Sequence, residues 1–112
     1  MSELADKRCA PCEGGVEPMD RDTADARLGQ LSSRWSISGD GKALAGEFGF
    51  KNYYQTTAFV NAVAWIAHRE DHHPDIEFGY KNCRIHYTTH AIGGLSENDF
   101  ICAAKVDRLL EE

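Results

Sequence analysis

The chain has 112 residues, of which 12 are Lys or Arg and 18 Asp or Glu, for a formal net charge of −6, and 42% are hydrophobic. That size and content suit one domain with its own core and exclude wholesale disorder, while the acidic balance argues against direct binding to a nucleic-acid backbone. No apolar run approaches the roughly 20 residues of a membrane span, and the start Met1-Ser2-Glu3-Leu4 lacks a signal peptide's apolar segment, so a cytoplasmic protein with no membrane partner is expected. In chain order, residues 1–18 read as a flexible N-terminal tail ahead of a single domain over 19–112. The tail holds Cys9 and Cys12, a C-x-x-C pair with neither a second pair to complete a zinc site nor the strand-helix context of a thioredoxin-like motif, and it closes on Gly14-Gly15. Cys83 and Cys102 read as buried small hydrophobes, and all four cysteines as reduced thiols.

From about Asp20 to Ser33, Ala24, Leu28 and Leu31 fall at helical spacing and predict a first, rather polar helix. Residues 35–50 read as a β-hairpin: Trp35 and Ile37 alternate with serines, Gly39-Asp40-Gly41-Lys42 has turn chemistry, and Leu44, Gly46, Phe48 and Phe50 repeat at period two. A long helix follows from Asn52 to Asp71, with Phe59, Ala62, Val63 and Ile66 as its inner stripe. Ala58 and Trp65 lie outside that stripe and call for a second cover, such as another subunit. His73 precedes Pro74, which ends the helix near His72. Ile76, Phe78 and Tyr80, then Cys83, Ile85 and Tyr87, predict a second pair of strands. Ser96, with Asp99 three residues on, starts a last helix whose Phe100, Ala103, Val106 and Leu110 face the core. The order α-β-β-α-β-β-α is that of an α+β domain, an antiparallel sheet of four strands covered by three helices on one face.

All five histidines, His68, His72, His73, His86 and His90, fall between positions 68 and 90. Histidine titrates near neutral pH and also ligates metals, so the cluster points to proton transfer or to a metal site. His68 and His72 have the i, i+4 spacing of paired ligands, but His68-Arg69-Glu70-Asp71-His72 puts Arg69 where the zincin pattern H-E-x-x-H needs its glutamate. Proton transfer fits better, because His72 and His73 stand at a helix C-terminus whose dipole favours a positive ring. His90, after Thr88-Thr89, joins them if strand end and helix end pack side by side. His86, beside Arg84 on a strand, reads as a surface residue.

The run His68, three residues, His72-His73-Pro74, five residues, Tyr80, nine residues, His90, eight residues, Asp99 resembles the signature of the pterin-4a-carbinolamine dehydratases. The resemblance extends from about Trp35 to the C-terminus and takes in Phe48-x-Phe50, Thr89-His90 and Gly94-Leu95-Ser96. His68 stands where many relatives carry glutamate, and Cys9 and Cys12 lie outside the pattern. Such a resemblance implies the same sheet-and-helix fold, dimers or tetramers, and loss of water from 4a-hydroxytetrahydrobiopterin to give the quinonoid dihydropterin. That step recycles the pterin of aromatic amino acid hydroxylases, which makes such a hydroxylase the functional partner, and it uses no metal or other cofactor. By the same resemblance His72 and His73 are acids and His90 the base, with Asp99, His68 and Thr89 in supporting or substrate-binding positions. Asp99 also reads as a helix-capping carboxylate. Two other classes stay open: a non-enzymatic binding protein of this fold, since animal members serve as dimerisation cofactors for a homeodomain transcription factor, and a metal-dependent hydrolase.

Overall fold

In the computed structural model, which describes residues 3–10 and 16–111, the alternating segments form one antiparallel sheet of order β1-β2-β4-β3. Its strands are β1 Trp35–Ile37, β2 Leu44–Gly49, β3 Asp75–Phe78 and β4 Asn82–Tyr87, and the helices are α1 Arg21–Leu28, α2 Tyr53–Glu70 and α3 Glu97–Arg108. The predicted order holds, with short 3₁₀ turns added at Glu3–Asp6 and His90–Ile92. Cys12 and Gly14-Gly15 lie outside the described residues. None of the helices described is long and apolar enough to cross a membrane.

Period-two patterning sorts the two faces of the sheet. Leu44, Phe48, Cys83, Ile85, Tyr87 and Trp35 are buried against the helices, whereas the opposite face pairs Arg84 with Glu47 on one side and Glu77 on the other. Phe59 of α2 lies 4.8 Å from Phe48 and 4.9 Å from Phe50, ring centre to ring centre, and so ties α2 to the sheet. Each such buried side chain contributes about 1.5–3 kcal/mol through the water it sheds.

Local chemistry sets the ends of the helices. Asp20 caps α1 by accepting the Thr23 N–H at 2.8 Å, and Asn52 caps α2 by accepting the Gln55 N–H at 2.9 Å. The first helix stops at Leu28 rather than at Ser33, because Gly29 ends it and the Gln30 and Leu31 N–H groups turn back to Arg27 and Leu28. The hairpin runs over Trp35–Gly49 as expected, its strands joined by a loop that contains Gly39-Asp40-Gly41-Lys42 and is closed by the Ser38 N–H to Ala43 carbonyl bond. In α2, Phe59 and Val63 are buried while Ala62 and Ile66 are half-buried. Thr56, outside the predicted stripe, is fully buried, with its hydroxyl 2.9 Å from both the Asn52 and Tyr80 carbonyls.

Residues 3–10, expected to be part of a flexible tail, pack on the domain. Leu4 is 1% exposed and, with Ala5, joins the core, and the Lys105 ammonium donates to the Ala5 carbonyl at 2.9 Å. This strap covers a side of α3 that the sheet does not reach. Ile101, Cys102 and Ala104 are therefore buried along with the predicted Phe100, Ala103 and Val106.

Gly46 sits under Trp35 at the register pair Trp35↔Gly46, where a Cβ would come within 2.8 Å of the indole and 2.9 Å of the Phe48 ring. Gly46→Ala is expected to lower unfolding free energy by about 1–3 kcal/mol through overpacking, read from the urea midpoint at unchanged slope.

Candidate active site

The last turn of α2 delivers the first two histidines. Asp71 takes the left-handed conformation, φ 52°, and the His72 N–H bonds back to the Ala67 carbonyl at 3.1 Å, so the chain leaves the helix through a Schellman-type turn. That reversal aims His72 at the start of α3. Its Nε2 lies 2.6 Å from Asp99 Oδ1, and its ring stacks on Tyr87 of β4 at 5.9 Å and 7°. With Asp99 ionised, a carboxylate only accepts, and Nε2 is the donor of this pair.

Asp99 is fully buried. Its Oδ2 accepts the Thr89 hydroxyl at 2.8 Å and the Ser96 N–H at 2.9 Å. The capping role and the imidazole-orienting role thus fall to the two oxygens of one carboxyl group. Thr89 is itself buried and bonds the Ser96 hydroxyl at 2.7 Å. It positions Asp99 more than it faces solvent.

His90 opens the 3₁₀ turn after β4 instead of ending the strand. The turn is pinched shut by the Thr89↔Gly94 bridge and by Gly93, whose φ of 68° suits a residue without a Cβ. His73 and His90 are both exposed, and their rings lie 6.4 Å apart at 30°. His72, His73 and His90 line one cavity of about 400 Å³, together with Thr88, Thr89, Glu70, Asn98, Cys9 and Ala10. This is the convergence the sequence required of strand end and helix end.

His68 is not part of it. One turn earlier on α2, it is exposed and packs against Trp65 at 5.2 Å, while His72 turns the other way, so the two do not form the i, i+4 ligand pair. Among the described residues no three His, Cys, Asp or Glu side chains gather as metal ligands do. His86 lies on the open sheet face, 4.0 Å from Glu77.

Tyr87, buried behind the cavity, and the wall residues Asn98 and Glu70 were not singled out in the sequence. Tyr87 read only as an inward strand residue, yet it is the platform under His72. Burial pushes its phenol well above the ordinary 10.0, so it remains neutral, and its hydroxyl has no partner among the described residues. Asn98 clamps the strap by accepting the Ala10 N–H at 3.1 Å and donating to the Ala10 carbonyl at 2.6 Å. Glu70, just before the αL residue, accepts the Cys9 N–H at 2.8 Å and faces Arg8 at 3.0 Å and Lys105 at 4.0 Å. Only the proximity of Glu70 to His72 in sequence was available as a signal.

The sequence profile described as Pterin 4 alpha carbinolamine dehydratase matches residues 17–109. A protein of Nitrosomonas eutropha that carries the name pterin-4-alpha-carbinolamine dehydratase as a provisional assignment is 61% identical over 108 residues, 96% of this chain and 94% of its own. One from Legionella pneumophila (strain Philadelphia 1), with the same provisional name, is 50% identical over 109 residues, 97% of this chain and 96% of its own. Among solved structures, a transcriptional coactivator/pterin dehydratase from Brucella melitensis superposes with a TM-score of 0.79 at 23% identity, covering 85% of this chain and all of its own, which shows a shared fold. A pterin dehydratase-like protein described as a RuBisCO assembly factor in the alpha-carboxysome superposes at 0.59 with 32% identity, covering 67% of this chain and 87% of its own.

Burial pushes the Glu70 carboxyl up, but the Cys9 N–H, Lys105 and Arg8 outweigh it, and the group rests below its ordinary 4.5. The stability Glu70 supplies is therefore complete above 4.5 and is lost as the pH falls through its lower folded value. Glu70→Gln is expected to be less stable than the parent near pH 7 by about 1 kcal/mol or more, with the gap closing in urea titrations run below pH 4.5.

Proposed function

Since the chain belongs to the pterin 4 alpha carbinolamine dehydratase family, we propose that it removes water from 4a-hydroxytetrahydrobiopterin to give the quinonoid dihydropterin. The observation that carries this reading is the meeting of His72, His73 and His90 in one cavity, with Asp99 bound behind His72. Dehydration needs a proton for the departing hydroxyl and a group to take a ring N–H proton, with no change of oxidation state. In this reading His72 and His73 are the acids and His90 the base. Asp99 Oδ1 fixes the His72 ring and offers a counter-charge when that ring is protonated, while Thr89 and the Ser96 N–H hold the carboxylate still. The supporting role suggested for His68 finds no pocket contact, and we assign it none. The product would serve an aromatic amino acid hydroxylase in the cytoplasm again once a separate two-electron reduction has restored the tetrahydropterin, and in this reading no metal or bound cofactor takes part in the dehydration.

A binding protein of the same fold is the second reading, and exposed aromatic residues favour it. Trp65 is 61% exposed and Tyr54 80%, and Tyr53 lies 6.4 Å from the half-exposed Phe78. Within the dehydratase reading the same surface serves self-association to a dimer or tetramer, through α2 and the β3 edge of the sheet.

The deciding experiment adds the protein to a phenylalanine hydroxylase reaction and follows decay of the 4a-carbinolamine. Faster decay is expected, unaffected by prior dialysis against chelator. His72→Ala or His90→Ala should slow it by about 10²-fold or more while the circular dichroism stays native. A folded variant with the parent rate would remove that histidine from the mechanism, and no acceleration by the parent would leave the binding reading.

Sedimentation at micromolar concentration is expected to give at least twice the monomer mass of 12.5 kDa. A clean monomer would show that Trp65 and the β3 edge are not covered by a second copy.

A further inference from the structure

The dehydration chemistry makes no use of the thiols, yet two of them meet beside the cavity. Cys9 of the strap and Cys102 of α3 are 93 positions apart in sequence, and their Sγ atoms lie 3.5 Å apart. Both are free thiols, Cys9 half-buried and at the cavity wall, Cys102 fully buried behind it. The approach is built rather than incidental. The Cys9 N–H is held by Glu70, Ala10 on its other side is held twice by Asn98, and the Cys9 thiol also faces the Asn98 carbonyl at 3.7 Å.

We propose that Cys9 and Cys102 form a reversible disulfide, with Cys9 as the oxidant-facing thiol and Cys102 as the resolving one. Closing the bond needs the sulfurs to move from 3.5 Å to about 2.05 Å, a shift that side-chain rotation and a small slide of the strap supply. With a small-molecule disulfide as oxidant, Cys9 gives up its proton and its thiolate attacks one of the sulfurs, the oxidant's S–S bond breaks, and the departing thiolate takes up a proton and leaves as a thiol. Cys102 then gives up its proton and attacks Cys9 Sγ, the mixed disulfide breaks, and the second thiol departs carrying a proton. Two protein thiols are oxidised and one disulfide is reduced to two thiols. The contact with Cys9, and then burial, hold the Cys102 thiol far above its ordinary range in the reduced pair; of these only the burial persists once Cys9 carries the mixed disulfide, and the full enclosure of Cys102 makes it the thiol that reacts second. The bond would staple the strap to α3 and fix the cavity wall that carries Cys9 and Ala10.

The test treats the reduced full-length protein with glutathione disulfide at pH 8, blocks remaining thiols by alkylation in acid, and maps tryptic peptides without reduction. The expected product joins the peptide of Cys9 to that of Cys102, after a transient glutathione adduct on the Cys9 peptide. Cys12→Ser should keep the cross-link and Cys9→Ser should abolish it, with both variants melting normally when reduced. Oxidation of the parent and of Cys12→Ser should raise Tm by about 5 °C or more, because the bond closes a long loop. A Cys9 to Cys12 bond in place of the cross-link, a stable glutathione adduct with Cys102 still open to alkylation after denaturation, or a cross-link that survives Cys9→Ser would each overturn the proposal.

Discussion

The Asp99 carboxyl group is the constraint around which the rest of the molecule is arranged. It is fully buried, and a buried carboxyl group is costly unless its oxygens are engaged. Its partners come from three places: His72 just past α2, Thr89 just past β4, and the Ser96 N–H that opens α3. Those three junctions must therefore come together, and where they do, the chain ends of helix and strand surround a cavity. The same group that caps α3 sets the direction of the imidazole, so stability and site geometry are not separable here.

Two further features turn that junction into a site. Asp71 in the left-handed region folds the chain back sharply enough for His72 to stack on Tyr87, while His73 goes to the other side of the opening toward His90. The strap then closes the wall opposite. It is drawn there by the burial of Leu4 and Ala5 on α3, by Glu70 and by the Asn98 clamp, and its position brings Cys9 to Cys102. A histidine cluster facing an open groove becomes a bounded cavity only with that segment in place.

The open aromatic surface on α2 follows from the same division of labour. Phe59 and Val63 satisfy the sheet, leaving Trp65 on a face that nothing within the described chain covers fully. On the other side of the sheet, alternating charges across Glu47, Arg84 and Glu77 blunt the surface against indiscriminate pairing.

Local patterning sufficed for the element order, the inner faces of β2 and β4, the helix end before Pro74 and the cap at Ser96, because periodicity, capping and proline sterics act over a few residues. The signature from His68 to Asp99 likewise named the histidines that line the cavity. What the sequence could not reveal are contacts between segments far apart in the chain. Leu4 and Cys9 sit in a short polar stretch whose burial depends on the exposed side of α3, a surface that exists only after the sheet has claimed the other. His68 and His72 share a helical spacing, yet the αL turn at Asp71 sends His72 inward and leaves His68 beside Trp65. Tyr87 alternates like any core strand residue, and only the return of α2 across β4 makes it a platform. Spacing picked out the candidate histidines; long-range packing decided which of them meet.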